Sequence, residues 1–192
     1  KTLSAADRWG LASDWAALLK AGVIGWERYL QLLDHFSEED RLLPAAQVIQ
    51  NLHRLFIVAP QVRKERIRIA ARHFLQKRLA DIGYAPEKGE SHSRSILREQ
   101  CLWPAVLTGI EDALDLGKKR FKELKAGQRI DPDIFKSVLQ LGAWTCGAQA
   151  FSWFIGRLSA TRSEHERMTI ATAMGSFREK EAVKMLKNLV HG

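Results

Sequence analysis

The sequence predicts an all-α fold of about ten helices, and three observations predict it. Apolar residues recur at helical spacing almost throughout, no stretch alternates as a strand would, and the intervening segments are short turns marked by Gly, Pro, Ser or Asp.

Ser4 is positioned to cap a first helix, with Asp7 as an acidic partner in its first turn. That helix is expected to run to about Lys20, turning Trp9, Ala12, Trp15, Ala16 and Leu19 inward, and Gly22 follows its end. A second helix is expected from about Trp26 to Phe36, burying Tyr29, Leu30, Leu33 and Phe36. Ser37 ahead of Glu38, Glu39 and Asp40 reads as a cap with acids in the first turn. Pro44 is tolerated only near a helix start, so the third helix proper begins near it and runs through Val48, Leu52, Leu55 and Phe56 until Pro60.

A long helix is expected from about Gln61 to Ile82, closed by Gly83, with Ile67, Ala70, Ala71, Phe74, Leu75 and Ile82 on one face. Residues 85–95, rich in Pro, Gly, Ser and charge, form a surface loop rather than a domain linker. Helices are then expected at roughly 95–109, 112–126, 132–141, 145–158, 163–174 and 180–190. Asp131-Pro132 is a cap followed by proline at the first helical position, and Ser163 with Glu166 fits a capping box ended by Gly175. Stacked as antiparallel pairs, each burying its apolar face on the next, such helices form a short right-handed α-superhelix of HEAT/armadillo-like type. A single helical-repeat domain over 1–192 is the expectation.

Composition fits a folded chain: 46% of residues are hydrophobic and 27% charged, with 6 Trp and 8 Phe to supply buried surface. No run approaches the length of a membrane-spanning helix. Lys1-Thr2-Leu3-Ser4 has neither an initiator Met nor a signal-peptide core, as expected of a piece of a longer polypeptide. Cys101 and Cys146 both lie in apolar helical context, which favours buried thiols and a reducing, cytoplasmic setting over a disulfide framework.

No catalytic constellation is present. His35, His53, His73, His92, His165 and His191 include no i, i+4 pair and no H-E-x-x-H, and neither cysteine belongs to a C-x-x-C, so no metal ligands are assigned. G-x-G-x-x-G, Walker and G-x-S-x-G sequences are absent. Asp7 and Asp14 share roughly one helix face, but nothing around them separates their pKa values, and capping or ion pairing accounts for them.

Two basic tracts remain, in a chain of net charge +8. Arg63, Lys64, Arg66, Arg68, Arg72, Lys77 and Arg78 stand against Glu65, and Lys118, Lys119, Arg120, Lys122, Lys125 and Arg129 against Glu123. A solvated charged face explains them most simply; the functional reading is a groove lining or a contact to an acidic partner. Arg78 falls close to the bearing of Ile67 and Phe74, so its charge must snorkel or pair, and a structural role is assigned. Nucleic acid is disfavoured, because Trp26, Trp103 and Trp153 sit among helix-periodic apolar residues and no recognised module is evident.

The chain resembles the C-terminal helical domain of the M1 zinc aminopeptidases, the aminopeptidase N and tricorn-interacting-factor group. Leu3 to Asp14 resembles that domain's L-S-x-x-D-R-x-x-L-x-x-D segment, followed by Ala21-Gly22 and a tyrosine-leucine helix at Tyr29 to Leu33. Ile82-Gly83-Tyr84 is similar to its L-G-W turn, with Tyr84 in place of Trp, and Leu97-Arg98 to its L-R after the charged loop. Ala113 through Phe121, Glu166-Arg167 and Ala171 to Gly175 resemble later family segments in the same order.

The resemblance implies a non-catalytic domain that caps and lines the peptide chamber of an enzyme removing N-terminal residues from peptides. It implies no cofactor in this chain, zinc in the parent enzyme's catalytic domain, and two partners: that domain of the same polypeptide and the peptide substrate. No catalytic residue carries over. Arg98, Arg63, Arg66, Lys118 and Lys122 are the candidate chamber or partner contacts, Arg98 alone on a family-like position. The alternative is a freestanding helical-repeat scaffold for an acidic peptide or protein.

Overall fold

The computed structural model describes residues 3–191, with side chains through 189; Lys1, Thr2, Gly192 and the side chains of Val190 and His191 lie outside the described residues. Among the described residues there are ten helices and no strand, an all-α fold. In order they are α1 (Ala5–Lys20), α2 (Trp26–Asp34), α3 (Leu42–Val58), α4 (Gln61–Ile82) and α5 (His92–Leu107). They continue as α6 (Glu111–Lys125), α7 (Pro132–Cys146), α8 (Ala148–Ala160), α9 (Glu164–Met174) and α10 (Lys180–His191). The chain divides into two compact units, one ending at Ile110 and the other beginning at Glu111.

In the first unit α3 is central, packed on α1, α4 and α5, while α2 lies against α1 and α4. α1 starts on a complete capping box: the Ser4 hydroxyl accepts from the Asp7 N–H, and the Asp7 carboxylate accepts from the Ser4 N–H. Its buried stripe is narrower than expected. Ala12 and Leu19 are buried, but Trp9 is 45% exposed, its indole N–H donating to Gln47 Oε1 at 3.1 Å.

The start of α3 departs from the sequence expectation. Ser37 does not cap it, and the helix begins at Leu42 after a turn. The reason is that Glu39 is drawn inside: its carboxylate accepts from Arg8 Nε at 2.5 Å and from the Arg41 N–H at 3.0 Å. Pro44 then sits in the first turn, where its missing N–H leaves no helical bond unmade. α4 has the expected bounds. α5 begins earlier than expected, at His92, because Ser91 accepts from the Arg94 N–H as its cap.

In the second unit α7 packs on α6, α8 and α9, and α10 packs on α8. The core is aromatic. Phe121 meets Trp153 edge-on at 5.2 Å and stacks on Phe154 at 5.7 Å, and Phe177 reaches Phe154 at 5.4 Å. α6 and α7 approach through glycines: a Cβ on Gly142 would lie 2.3 Å from the Phe121 ring, and one on Gly117 2.6 Å from the Leu141 side chain.

The break expected between 141 and 145 lies instead at Gly147, so α7 runs on to Cys146. Gly147 has φ +50° and ψ −138°, a conformation suited to glycine. The carboxylate of Glu179 occupies the space a side chain would take there and accepts from the Ala148 N–H at 2.7 Å, capping α8 from outside the helix.

The two thiols are unequal. Cys101 is fully buried, and burial pushes its pKa up to about 12, whereas Cys146 is partly accessible. Because the thiolate is the nucleophile, maleimide at neutral pH is expected to label Cys146 and to reach Cys101 only after denaturation. Peptide mass mapping checks this; equal labelling in the native state would contradict the burial.

Candidate functional site

α4 exposes its basic face because Ile67, Ala71, Phe74, Leu75, Leu79 and Ile82 are buried where it packs on α3 and α5, leaving its arginines other than Arg78 outside. Most of that charge is answered locally. Arg68 chelates Glu65 at 2.7 and 2.9 Å, Lys77 pairs with Glu38, and Arg66 lies 3.5 Å from Glu27 across on α2. Glu38 and Glu65 are both held below the usual carboxylate range, chiefly by hydrogen bonds from Lys77 and Arg68 respectively. Two cations rest on rings instead: Arg63 lies 5.4 Å from the centre of Trp26, and Lys64 5.0 Å from that of Phe56.

Arg63 and Arg66 therefore come together on one cleft of about 260 Å³, walled by Trp26, Leu30, Val62 and Ile67 and shared with Glu27, the partner of Arg66. Arg66 also borders an adjoining hollow of about 240 Å³ that holds Asp34, His73 and Phe74. Val62, on the wall of the cleft, is 85% exposed, so apolar surface adjoins the guanidinium groups. Such a surface suits a ligand or domain face presenting a carboxylate next to apolar side chains.

Arg78 and Arg98 lie in the same unit but inside it. The Arg78 guanidinium donates to the Glu39 and Ser37 carbonyls, the latter at 3.1 Å, lies 3.3 Å from Asp81 and sits 5.6 Å from the centre of the Phe74 ring. It ties the α2–α3 connection to α4.

Arg98 is completely buried. Its Nε donates to the Gly83 carbonyl at 2.9 Å, one Nη to the Ile82 carbonyl at 2.6 Å, and both Nη groups to Glu90. The Glu90 carboxyl is held below its ordinary range, first by this hydrogen bonding and against the opposing effect of its burial. Arg98 thus joins the unsatisfied carbonyls at the end of α4 to the charged loop that follows.

Lys118 and Lys122 belong to the second unit, one turn apart on α6. Both are exposed, and Lys118 lies 3.4 Å from Asp115. Arg120 is likewise paired, at 2.9 Å from Glu123.

Sequence reasoning missed the flank formed by α1 and α3, where Trp9, Gln47, Asn51 and the Ala12 carbonyl are linked in series. Its signal was available: Gln47 and Asn51 are polar residues at i, i+4, on one face of the helix. Trp26, read as a core anchor, is in fact half-exposed at the mouth of this flank and of the Arg63–Arg66 cleft.

Among the described residues no group of three His, Cys, Asp or Glu side chains is placed to hold a metal ion, and no helix is long and apolar enough to cross a membrane.

Comparison with known proteins agrees with the family resemblance. Over 177 residues the chain is 29% identical to the tricorn protease-interacting factor F2 of Thermoplasma acidophilum, covering 90% of this chain and 21% of that protein. The chain therefore spans about a fifth of that relative's length. The family model of the ERAP1-like C-terminal domain matches residues 1–191, the all-helical architecture is the one the resemblance implied, and the chain belongs to the ERAP1-like C-terminal domain family.

Proposed function

We propose that this chain is the non-catalytic helical domain of a zinc-dependent aminopeptidase, where it covers the active site and lines the peptide chamber. The observation that carries the reading is the family match along essentially the whole chain. Zinc and the hydrolytic residues belong to a catalytic domain of the same polypeptide. Covering the site excludes water and strengthens the polar interactions within it, while movement of the cover admits peptide and releases product. The setting is cytoplasmic, and the helix pairs build a HEAT-like superhelix.

Within that chamber Arg63 and Arg66 are the contacts of choice, because they share one cleft and stand beside apolar surface. Lys118 and Lys122 add an exposed basic row that draws acidic peptide ends. Arg98 is assigned to holding the loop, since it is fully buried and its Nε and both Nη groups donate inside the first unit.

The full reading frame and its enzyme test this. The frame is expected to carry H-E-x-x-H with a more distant zinc-binding glutamate, and the purified enzyme to hydrolyse amino-acid arylamides in a chelator-sensitive way. The 192-residue chain alone is expected to have no such activity. In the whole enzyme, Arg63→Glu with Arg66→Glu is expected to raise KM for peptides several-fold while leaving arylamide turnover unchanged, since an arylamide does not reach a remote contact. Zinc-dependent hydrolysis by the isolated chain would overturn the non-catalytic assignment. A reading frame without a catalytic domain would leave the scaffold reading in its place.

A further inference from the structure

The flank between α1 and α3 carries a groove of about 610 Å³, within the size range of small-molecule sites. Two hydrogen bonds define its direction. Trp9 is joined to Gln47, and one turn further on the Ala12 carbonyl is joined to Asn51, so the two helices run parallel and in step. Beyond these links the walls become small and apolar: Ala16 and Ala17 on α1 face Leu55 and Val58 on α3, and Trp26 stands at the far end.

Apart from the Ser13 hydroxyl, the polar side chains of the groove fall into two sets. The amides are spent on each other: Gln47 accepts from the indole and donates to Asn51 at 3.0 Å, and Asn51 donates to the Ala12 carbonyl at 3.0 Å. The cations are not spent. Arg54 and Lys20 border the apolar half, neither holds an ion pair among the described residues, and no carboxylate lines the groove. Elsewhere in this unit Arg8, Arg66, Arg68, Lys77, Arg78 and Arg98 have carboxylate partners, and Arg28, Arg63 and Lys64 rest on rings; Arg54 and Lys20 have neither among the described residues.

We infer that the α1–α3 groove is a binding site for a small organic monoanion, an apolar body seated on Ala16, Ala17, Leu55 and Val58 with its acidic head on Arg54. Arg54 can take a carboxylate or sulfonate in bidentate fashion, and Lys20 adds a second positive charge nearby. Since the walls beyond the amides are Ala16, Ala17, Leu55 and Val58, the ligand carries one charged head on an otherwise apolar body. This site shares Trp26 with the Arg63–Arg66 cleft but none of the cations assigned there, so it stands independently of the chamber reading.

Titration of the 192-residue chain with octanoate and with its neutral counterpart octanamide tests the inference, followed by calorimetry and by tryptophan fluorescence. Octanoate is expected to bind saturably, one molecule per chain, and octanamide about ten-fold more weakly, the usual worth of a charge-assisted hydrogen bond. Arg54→Gln is expected to weaken octanoate about ten-fold and to leave octanamide unchanged. Ala17→Leu, at an exposed position where leucine is nearly as good a helix former as alanine, is expected to block both ligands, with circular dichroism confirming the fold. Non-saturating octanoate, equal binding of the two ligands, or indifference to Arg54→Gln would each overturn the site.

Discussion

Replacing Arg98 by alanine is expected to cost about 3–5 kcal/mol, the usual penalty for removing one partner of a buried ion pair. The substitution strands the Glu90 carboxylate, whose side chain is only 8% exposed, and leaves the Ile82 and Gly83 carbonyls without their donors. Urea unfolding at pH 7 measures the loss. Hydrogen exchange should place the earliest opening in residues 83–91, the segment the guanidinium holds down.

The same pair sets a pH dependence. The Glu90 carboxyl has a folded pKa below its unfolded value, so it adds stability above the unfolded carboxylate range of about 4.3. That contribution is lost as pH falls through the lower, folded pKa. Glu90→Gln is therefore expected to lower stability at pH 7 and to flatten the acid limb of the stability curve. An unchanged acid limb would mean that the pair contributes nothing to acid unfolding.

Gly142→Ala is expected to produce the second large effect, about 1–3 kcal/mol or more, because the added methyl would enter the ring of Phe121. Phe121 has little room to yield, being set edge-on to Trp153 and stacked on Phe154. Phe121→Leu shortens the obstructing side chain, so the double variant is expected to be more stable than the two single losses added together. Coupling of about 0.5–3 kcal/mol is expected for residues in contact. Simple additivity, read by thermal unfolding of the four proteins, would show that the glycine notch is not what brings α6 and α7 together.

Gly142 also shows where sequence reasoning stops. It falls in the gap expected between the seventh and eighth helices, yet the helix passes through it and ends at Gly147. A glycine that ends a helix and a glycine that admits a neighbour's ring look alike along the chain. Only the partner across the interface tells them apart, and Phe121 lies 21 residues away. The start of α3 is a similar case: Ser37 to Asp40 has the composition of a cap, but Arg8, 31 residues upstream of Glu39, draws that glutamate into an ion pair.

Local chemistry by itself determined the helical class, most helix ends and the cap at Ser4, since each depends on residues within one turn of each other. It also located Arg78 on the apolar stripe. Motif order along the chain indicated the family, to which the chain belongs. The tertiary structure decided how the charges are used. Of the basic residues on α4, it paired Arg66, Arg68 and Lys77 with carboxylates, took Arg78 inside and left Arg63 on the Trp26 face. It turned Arg98 from a surface candidate into the tie that holds the loop, and left Arg54 and Lys20 unpaired on an apolar groove. The reason is the range of the interactions. Helix propensity and capping act over three or four residues, whereas an ion pair is made or left unmade by whichever element folding brings within a few ångströms.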